Sequence, residues 1–186
     1  MTLTKKGEYG LRAMIQLGLA RALGKELVSA SELALSNRLP LKFIERILLE
    51  LREGGYIETQ RGKSGGYALA KPMDKIFMGE VVRLIDGRLA PIACASETDY
   101  CRCTCPDEDH CGLRMLMIDV RNAISNILDR YTLGDVVEVT LRKMRQDKVP
   151  MPFKSAQEPA PRGNRRNADP AHGFLSALGI KSQFTE

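Results

Sequence analysis

The apolar positions in the first half of the chain follow a helical period and then change to a strand-like one. Apolar side chains recur at three- and four-residue intervals after Thr4 and again after Pro40, as expected for amphipathic helices. A shorter helix is expected between them, because Ser29 and Glu32 stand at the spacing of a capping box. The pattern therefore predicts three helices, the third of which ends at a glycine pair.

Two short β-like runs follow, Tyr56 to Gln60 and Tyr67 to Ala70, and the basic sequence RGKSGG between them can turn tightly. Three helices followed by a basic hairpin are typical of a winged helix-turn-helix, in which the third helix lies in the major groove of DNA. The sequence thus predicts a mainly α fold with a small β-hairpin wing. The DNA-binding domain is expected to comprise residues 1–75.

The second half of the chain contains a short helix, predicted from Met78 to Asp86, and a long one from Leu113. The long helix carries an apolar stripe: Leu116, Met117, Val120, Ile124, Ile127, Leu128 and Tyr131. No remaining segment looks large enough to cover this stripe, so we expect a partner subunit to cover it. Residues 113–142 are therefore predicted to be the dimerisation region of a homodimer. The alternative is that the helix packs on its own winged domain.

The end of the chain differs in composition from the rest. Residues 143–186 are basic and, beyond Lys148, rich in proline without an apolar period. Such composition is typical of disorder. We therefore predict a disordered basic tail. Residues 76–112 form the remaining region, a short helix with a cysteine-rich loop.

Charge is distributed unevenly along the chain, whose net charge is +5. Counting Lys and Arg against Asp and Glu gives +5 for residues 1–90, −4 for residues 91–142 and +4 for residues 143–186. A basic front that also has the winged-helix pattern favours a polyanionic partner. Double-stranded DNA is the expected one.

Basic residues fall on the two elements that touch DNA in such a fold. Lys42 and Arg46 stand one helical turn apart on the outward side of the third helix, near its N-terminus. In the wing, glycines allow the backbone near Arg61 and Lys63 to approach the duplex closely. The expected DNA contacts are Lys42, Phe43, Arg46, Arg61, Gly62 and Lys63. The alternative for each charged residue is a solvated surface position.

Two kinds of segment that would indicate a membrane or a secreted protein are absent from the sequence. No apolar run approaches the ~20 residues that a bilayer-spanning helix needs, and the N-terminal MTLTKKGEYG lacks the apolar core of a secretory signal. We therefore expect a cytoplasmic protein with no membrane partner. Thiols stay reduced in the cytoplasm, so clustered cysteines are expected to be ligands or redox groups rather than disulfides.

All five cysteines fall within one run, CASETDYCRCTCPDEDHC, from Cys94 to Cys111. Structural zinc sites use paired Cys-x-x-Cys knuckles, which this run lacks, and a peroxide-type thiol switch needs only two cysteines. An iron–sulfur cluster is held by thiolates and tolerates irregular spacing. This chemistry ranks an iron–sulfur cluster first and zinc second, and it leaves a thiol-redox site open.

An iron–sulfur or thiol oxidoreductase is the rival class of function. The chain has no glycine-rich dinucleotide fingerprint, no Cys-x-x-Cys and only two histidines. These features favour a regulator that is not an enzyme.

Several stretches resemble the bacterial winged-helix iron–sulfur regulators, the family of the cluster-assembly repressor, the nitric-oxide-sensing repressor and the rhizobial iron regulator. The matching stretches are TKKGEYGLRAM at Thr4 to Met14, the run from Leu39 to Pro72, GEVVRLIDGRLAPIAC at Gly79 to Cys94, and LDRYTLGDVV at Leu128 to Val137. The resemblance covers roughly residues 1–142. It implies a homodimeric transcription factor, usually a repressor, that binds a near-palindromic operator.

The resemblance also implies a cofactor and its ligands. Members hold a two-iron or four-iron cluster on three cysteines between the short helix and the dimerisation helix, often with a fourth ligand of another type. By position, Cys94 matches the first ligand, Cys105 the middle one and Cys111 the last. Cys101 and Cys103 are surplus, so each is an alternate for the middle position.

Glu8 stands where some members of the family draw a carboxylate ligand from the partner subunit, which makes it a candidate extra ligand. Its alternative role is that of an acid in the first turn of a helix, favourable to the helix dipole. The resemblance further implies that the cluster gates operator affinity in response to iron, nitric oxide or redox state. A further hypothesis is that the acidic triplet Asp107 to Asp109 repels DNA when the loop is freed.

Overall fold

The structure, a computed structural model, describes residues 3–62, 65–87 and 89–153. The helices in this part of the chain are α1 (Lys5–Ala22), α2 (Ala30–Asn37), α3 (Leu41–Glu53), α4 (Met78–Asp86), α5 (Gly112–Arg130) and α6 (Leu133–Gln146). Strands β1 (Ile57–Gln60) and β2 (Gly66–Leu69) form an antiparallel hairpin in which Ile57 faces Leu69. The predicted fold, mainly α with a small β-hairpin wing, is confirmed.

Local sequence signals fix the starts of the first two helices. The Thr4 hydroxyl accepts a hydrogen bond from the Gly7 N–H at the start of α1. Ser29 and Glu32 form the predicted capping box at the start of α2. These side chains satisfy backbone N–H groups that have no partner inside the helix, so the boundaries follow from residues that are visible in the sequence.

One apolar core joins the winged domain to α4 and α6. Its fully buried side chains include Met14, Leu33, Ile44, Ile47, Leu48, Leu51, Ile57, Ile76, Val81 and Leu133. α1 lies at its centre and packs on α3, α4 and α6. Close approach depends on glycine, because a Cβ at Gly10 would lie 2.1 Å from the Cδ1 of Ile85, and one at Gly18 would lie 2.6 Å from a methyl carbon of Val137.

α6 is a separate helix that was not predicted from the sequence. The chain turns after α5 at Thr132, which forms a second capping box with Asp135. The Leu133 N–H donates to the carbonyl of Ile76 at 2.7 Å, and α6 then packs back on α1. The last part of the region predicted for dimerisation therefore lies in the core of the winged domain. α6 continues to Gln146, past the predicted start of the tail, while residues 154–186 lie outside the described residues.

α5 differs from the other helices because none of its residues is buried within the described part of the chain. Its apolar stripe leaves Leu116 and Ile127 about half exposed. Within the described residues, the rest of the chain therefore covers this stripe only in part, and the partner subunit stays a prediction. Among the described residues, no helix has the length and apolar character that spanning a bilayer requires.

Candidate DNA interface and cysteine loop

α3 presents basic residues on the side opposite to the core. Its apolar stripe is buried against α1, α2 and α4, whereas Lys42 and Arg46 are exposed. Phe43 is half-buried, and its ring meets that of Tyr9 edge to face with the centroids 5.8 Å apart. Phe43 therefore packs α3 on α1, and only the outer part of its ring is available to a partner.

The turn before α3 is held by a polar network that the sequence analysis missed. Asn37 is buried, and its Nδ2 donates to the carbonyl of Leu33 at 2.8 Å and to the Oε1 of Gln16 at 2.7 Å. Arg12 donates to the carbonyl of Asn37 at 3.4 Å. Arg38 follows in the left-handed region with φ 56°, a conformation that non-glycine residues seldom adopt. This network connects α1 and α2 to the turn from which α3 starts.

The wing places its basic tip in solvent. Arg61 and Gly62 are exposed, and Lys63 lies outside the described residues. Gly62 has φ 123°, which favours glycine at this position. A Cβ at Gly65 would lie 2.3 Å from the carbonyl oxygen of Gln60, so the tight turn also needs glycine there. The exposed positions are compatible with the expected DNA contacts, which stay predictions.

The cysteine loop connects α4 to α5 and spreads its thiols over different environments. Cys94 lies in a short 3-10 turn, Ala93–Ala95, and is buried. Cys111 immediately precedes α5 and is half-buried, as is Cys103. Cys101 and Cys105 are exposed. All five are free thiols.

Cys103 has the largest number of polar contacts among the thiols of the loop. Its backbone N–H donates to the Oε2 of Glu108 at 3.3 Å, and its Sγ lies 3.7 Å from the same oxygen. The backbone N–H of Cys105 donates to the Sγ of Cys103 at 3.3 Å. The Sγ of Cys101 is instead turned to the carbonyl of its neighbour Arg102 at 3.8 Å.

Four of the cysteines influence one another's protonation. The hydrogen bond with Cys103 and the charge of its thiolate raise the pKa of Cys105 to about 11, and Cys111 and Cys94 add smaller contributions. Burial raises the pKa of Cys94, and the proximity of Cys103 adds to the effect. A bound cation would relieve this mutual repulsion of thiolates.

The donors of the loop suit a metal or iron–sulfur cluster in kind, because thiolates are the preferred ligands of both. Within the described residues, however, no three His, Cys, Asp or Glu side chains converge to metal-binding geometry. The loop would therefore have to draw its thiols together to hold such a group.

Two arginines of α5 bind the loop, and the sequence analysis missed both. The Nε of Arg114 donates to the carbonyl of Cys94 at 2.9 Å and lies 3.4 Å from the Oε1 of Glu108. Two helical turns later, Arg121 donates to the carbonyl of Ala95 at 2.7 Å and pairs with Glu97 at 2.9 Å. The signal was present, since a spacing of seven residues puts both arginines on one side of a helix.

Glu108 is turned into the loop rather than towards solvent. Its side chain is only 8% exposed, and the Tyr100 hydroxyl donates to it at 2.6 Å. This hydrogen bond, together with those from Cys103 and the charge of Arg114, lowers the pKa of Glu108. The hypothesis of an acidic triplet that repels DNA therefore applies at most to the exposed Asp107 and Asp109.

Glu8 lies in the first turn of α1, where its side chain pairs with Lys5 at 2.8 Å and with Arg12 at 3.6 Å. The hydrogen bond from Lys5 lowers the pKa of Glu8. The carboxylate is about 40% exposed, so a second subunit could reach it. Its role as an extra ligand stays a prediction.

Comparison with known proteins identifies the family. Residues 3–139 match the family model described as "Rrf2: Iron-dependent Transcriptional regulator". A putative HTH-type transcriptional regulator of Rhodobacter capsulatus, rrf2-like, is 36% identical over 137 residues, which cover 73% of this chain and 91% of the relative. The HTH-type transcriptional regulator NsrR of Bacillus licheniformis is 31% identical over 150 residues, which cover 80% of this chain and 96% of the relative.

A solved structure is similar over the same part of the chain. CymR, described as the global cysteine regulator of B. subtilis, matches with a TM-score of 0.62 and 30% identity, covering 74% of this chain and 97% of that one. The relatives are regulators of transcription and not enzymes, as the sequence predicted. The resemblance seen in the sequence is thus confirmed, and the chain belongs to the Rrf2 family of helix-turn-helix transcriptional regulators.

Proposed function

We propose that this protein is a homodimeric, cytoplasmic repressor that binds double-stranded DNA and whose operator affinity is gated by an iron–sulfur cluster on the cysteine loop. The observation that carries the proposal is the loop between α4 and α5, which holds all five cysteines of the chain as free thiols, with Cys94 buried and Cys103 and Cys111 half-buried. It occurs in a chain whose family model is described as iron-dependent. The cluster supplies a redox-active and iron-responsive group when bound.

DNA binding is assigned to α3 and the wing. Lys42 and Arg46 are exposed near the start of α3, where a recognition helix reaches base edges. Phe43 supports that helix against α1 and offers the edge of its ring. In the wing, the proposed contacts are Arg61, Gly62 and Lys63. Arginine at such a tip suits the narrow minor groove.

The dimer is proposed to form through α5. An apolar hollow lined by Leu3, Ile124, Ile127 and Leu128 lies along this helix, with a volume of about 300 Å³. An exposed apolar stripe of this length is costly in water, and a second α5 related by a two-fold axis would cover it. Two recognition helices would then face half-sites ~34–36 Å apart.

The proposed ligands are Cys94 and Cys111 at the two ends of the loop and one cysteine between them. The family resemblance favours Cys105 for the middle position, with Cys101 and Cys103 as alternates. Glu8 of a second subunit is the proposed extra ligand. The cluster would contain two or four irons.

Gating follows from how the loop is attached. Arg114 and Arg121 tie the segment around Cys94 to α5, and α5 is tied to α4 by the pairing of Arg83 with Asp129 at 2.7 Å. A change of loop shape therefore changes the angle between α5 and the winged domain. A coupling of ~1–3 kcal/mol would change operator affinity ~5–150-fold.

A cysteine-based regulator without a cluster is the second candidate. Two observations favour it: the backbone N–H of Cys105 donates to the Sγ of Cys103 at 3.3 Å, and the chain is similar to CymR, which is described as the global cysteine regulator of B. subtilis. In that case a thiol modification, rather than a cofactor, would change the loop. Zinc is the alternative metal.

The deciding experiment is strictly anaerobic purification of the full chain with iron, acid-labile sulfide and zinc counts and a visible spectrum. The proposal expects a coloured protein with iron and sulfide, and a change in affinity for a DNA site selected from a random pool when the cluster is removed. Cluster gating would be refuted by a colourless protein with stoichiometric zinc. It would also be refuted if the affinity for the selected DNA site did not change when the cluster was removed.

DNA recognition is tested separately by Arg46→Ala. If Arg46 reads a base, its loss weakens binding to the selected site by about 1–3 kcal/mol without a matching loss on random DNA. Arg52→Ala is the matched control, since Arg52 is exposed in the last turn of the same helix. Equal losses on specific and random DNA would demote Arg46 to a phosphate contact.

A further inference from the structure

Glu108 carries a nearly buried carboxylate in the segment 97–110, whose other residues are exposed except for the half-buried Cys103. Its side chain is 8% exposed, while its neighbours Asp107 and Asp109 are exposed. Burying a carboxylate is unfavourable unless donors replace its water. Two groups donate to it, the Tyr100 hydroxyl at 2.6 Å and the Cys103 N–H at 3.3 Å. Two guanidinium groups form ion pairs with it, that of Arg114 at 3.4 Å and that of Arg102 at 4.0 Å.

Arg114 connects this carboxylate to the other end of the loop. Its Nε, on the first turn of α5, lies between Glu108 and the carbonyl of Cys94, which it contacts at 2.9 Å. The side chain is about one-third exposed, so the pair is partly shielded from water. A continuous path of polar contacts thus runs from Cys94 through Arg114 and Glu108 to Cys103.

The three cysteines in the middle of the loop differ in their relation to this path. Cys103 contacts Glu108 through both its N–H and its Sγ, at 3.3 and 3.7 Å. Cys105 is exposed and reaches the path through its N–H, which donates to the Sγ of Cys103. Cys101 is exposed, with its Sγ directed to the carbonyl of Arg102.

We infer that Glu108 and Arg114 form a clasp that positions Cys103 beside Cys94, and that Cys103 is therefore the middle ligand of the site. The assignment of Cys103 as a ligand rests on the proposed function, whereas the clasp itself does not depend on a cofactor. It revises the preference for Cys105, which came from the position of that residue in the family resemblance. Glu108 and Arg114 act as positioning residues, because they act through the backbone and thiol of cysteines.

The clasp is tested on the reduced, cofactor-free full chain by the rate at which each cysteine is alkylated by iodoacetamide, resolved by peptide mass spectrometry. In Glu108→Gln and in Arg114→Gln, Cys103 is expected to react at least about tenfold faster, the size expected from losing hydrogen bonds to a charged group. Cys101 is expected to react at its unchanged rate. Thermal unfolding reports whether each variant is folded.

Two controls separate positioning from general loosening. Asp109→Asn removes an exposed acid from the same loop and is expected to leave all five rates unchanged. Glu108→Asp keeps the charge and is expected to restore part of the protection of Cys103. An unchanged Cys103 rate in Glu108→Gln, or an equal acceleration of all five cysteines, would overturn the clasp.

The ligand assignment is tested by anaerobic cluster reconstitution of Cys101→Ser, Cys103→Ser and Cys105→Ser, with iron and sulfide counts. Cys103→Ser is expected to lose stoichiometric iron, whereas Cys101→Ser keeps it. Loss in Cys105→Ser as well would add a fourth thiolate and leave Cys103 assigned; retention of iron by Cys103→Ser would overturn the assignment. If the unmodified protein takes up no iron, the proposed function fails, while the alkylation rates still decide the clasp.

Discussion

The winged domain and α5 carry apolar stripes of the same helical period, but within residues 3–153, as far as the structure describes them, only the stripes of the winged domain are buried. In α3, the stripe residues Ile44 and Leu48 are 0% exposed, whereas Leu116 and Ile127 of α5 are 56% and 46% exposed. The period of a stripe shows that a face requires a cover. It does not show whether the cover comes from the same chain. Only the packing of α1, α2 and α4 around α3 decides that for the winged domain.

The two regions also differ in the kind of contact that holds them. The winged domain is a close-packed apolar core, which resists gradual deformation. α5 has no buried residue within the described chain, and polar ties connect it to its neighbours, among them Arg83 with Asp129 and Arg121 with the carbonyl of Ala95. Partly exposed polar ties are individually weak and can be exchanged. A signal in the cysteine loop is therefore expected to move α5 and to leave the winged domain intact.

The largest effect is expected from a cavity in the winged domain. Ile47 is 1% exposed and faces α1, so Ile47→Ala should lower the free energy of unfolding by about 2–5 kcal/mol. Urea denaturation measures the loss. Leu49→Ala is the matched control, because Leu49 lies on the same helix but is 43% exposed, and it should change stability by no more than about 0.5 kcal/mol. Similar losses for both variants would contradict the contrast between the two faces of α3.

The second-largest effect is expected on dimerisation, from a change in the apolar face of α5. Ile127→Glu places a charge in the proposed dimer interface and should weaken dimerisation by at least about 2 kcal/mol, or about thirtyfold, since interface anchors carry most of the binding energy. Sedimentation equilibrium over a range of concentrations measures the change. Asn126→Glu, at the neighbouring exposed position, is the control. A monomeric unmodified protein, or equal effects of both variants, would contradict dimerisation through this face.

The third effect concerns α6, which joins the two regions. Thr132→Ala removes the hydroxyl that accepts from the Asp135 N–H and should cost about 1 kcal/mol of unfolding free energy. Thr132→Ser keeps the hydroxyl and should retain most of the stability. Urea denaturation compares the two variants. No loss in Thr132→Ala would mean that α6 adds little to the core of the winged domain.

The elements that the sequence predicted well are those with local determinants. The predicted helix from Met78 to Asp86 has the bounds of α4, and the predicted capping box of Ser29 is present. Such signals act within one helical turn, so the sequence carries them completely. The hairpin follows for the same reason, because its turn depends on nearby glycines such as Gly62 and Gly65.

The elements that escaped prediction depend on contacts between distant parts of the chain. The start of α6 does have a local signal that was overlooked, the capping box of Thr132 and Asp135. The bridge between Phe77 and Thr132, which holds this break against the start of α4, joins distant parts of the chain and has no local pattern. In the sequence, Glu108 is one of three adjacent acidic residues of the loop. Only the fold brings Tyr100 and Arg114 to it. The number and clustering of the cysteines were predictable; which of them the loop brings together was not.

The smallest effect tests whether a polar tie sets the angle of α5. Arg83 and Asp129 pair through two hydrogen bonds, and this pairing raises the pKa of Arg83, yet both side chains are about one-third or more exposed. Asp129→Asn should therefore cost no more than about 1 kcal/mol of unfolding free energy, and less at high salt. The same variant should change the difference in operator affinity between cofactor-loaded and cofactor-free protein, because α5 would no longer be held to α4 at this point. Asp119→Asn, an exposed acid on the same helix, is the control for charge alone. The contrary outcome is that the two variants have the same stability and the same difference in operator affinity. In that case the pairing of Arg83 with Asp129 does not transmit the state of the loop to the DNA-binding domain. The angle of α5 must then be set nearer the loop, by Arg114 and Arg121.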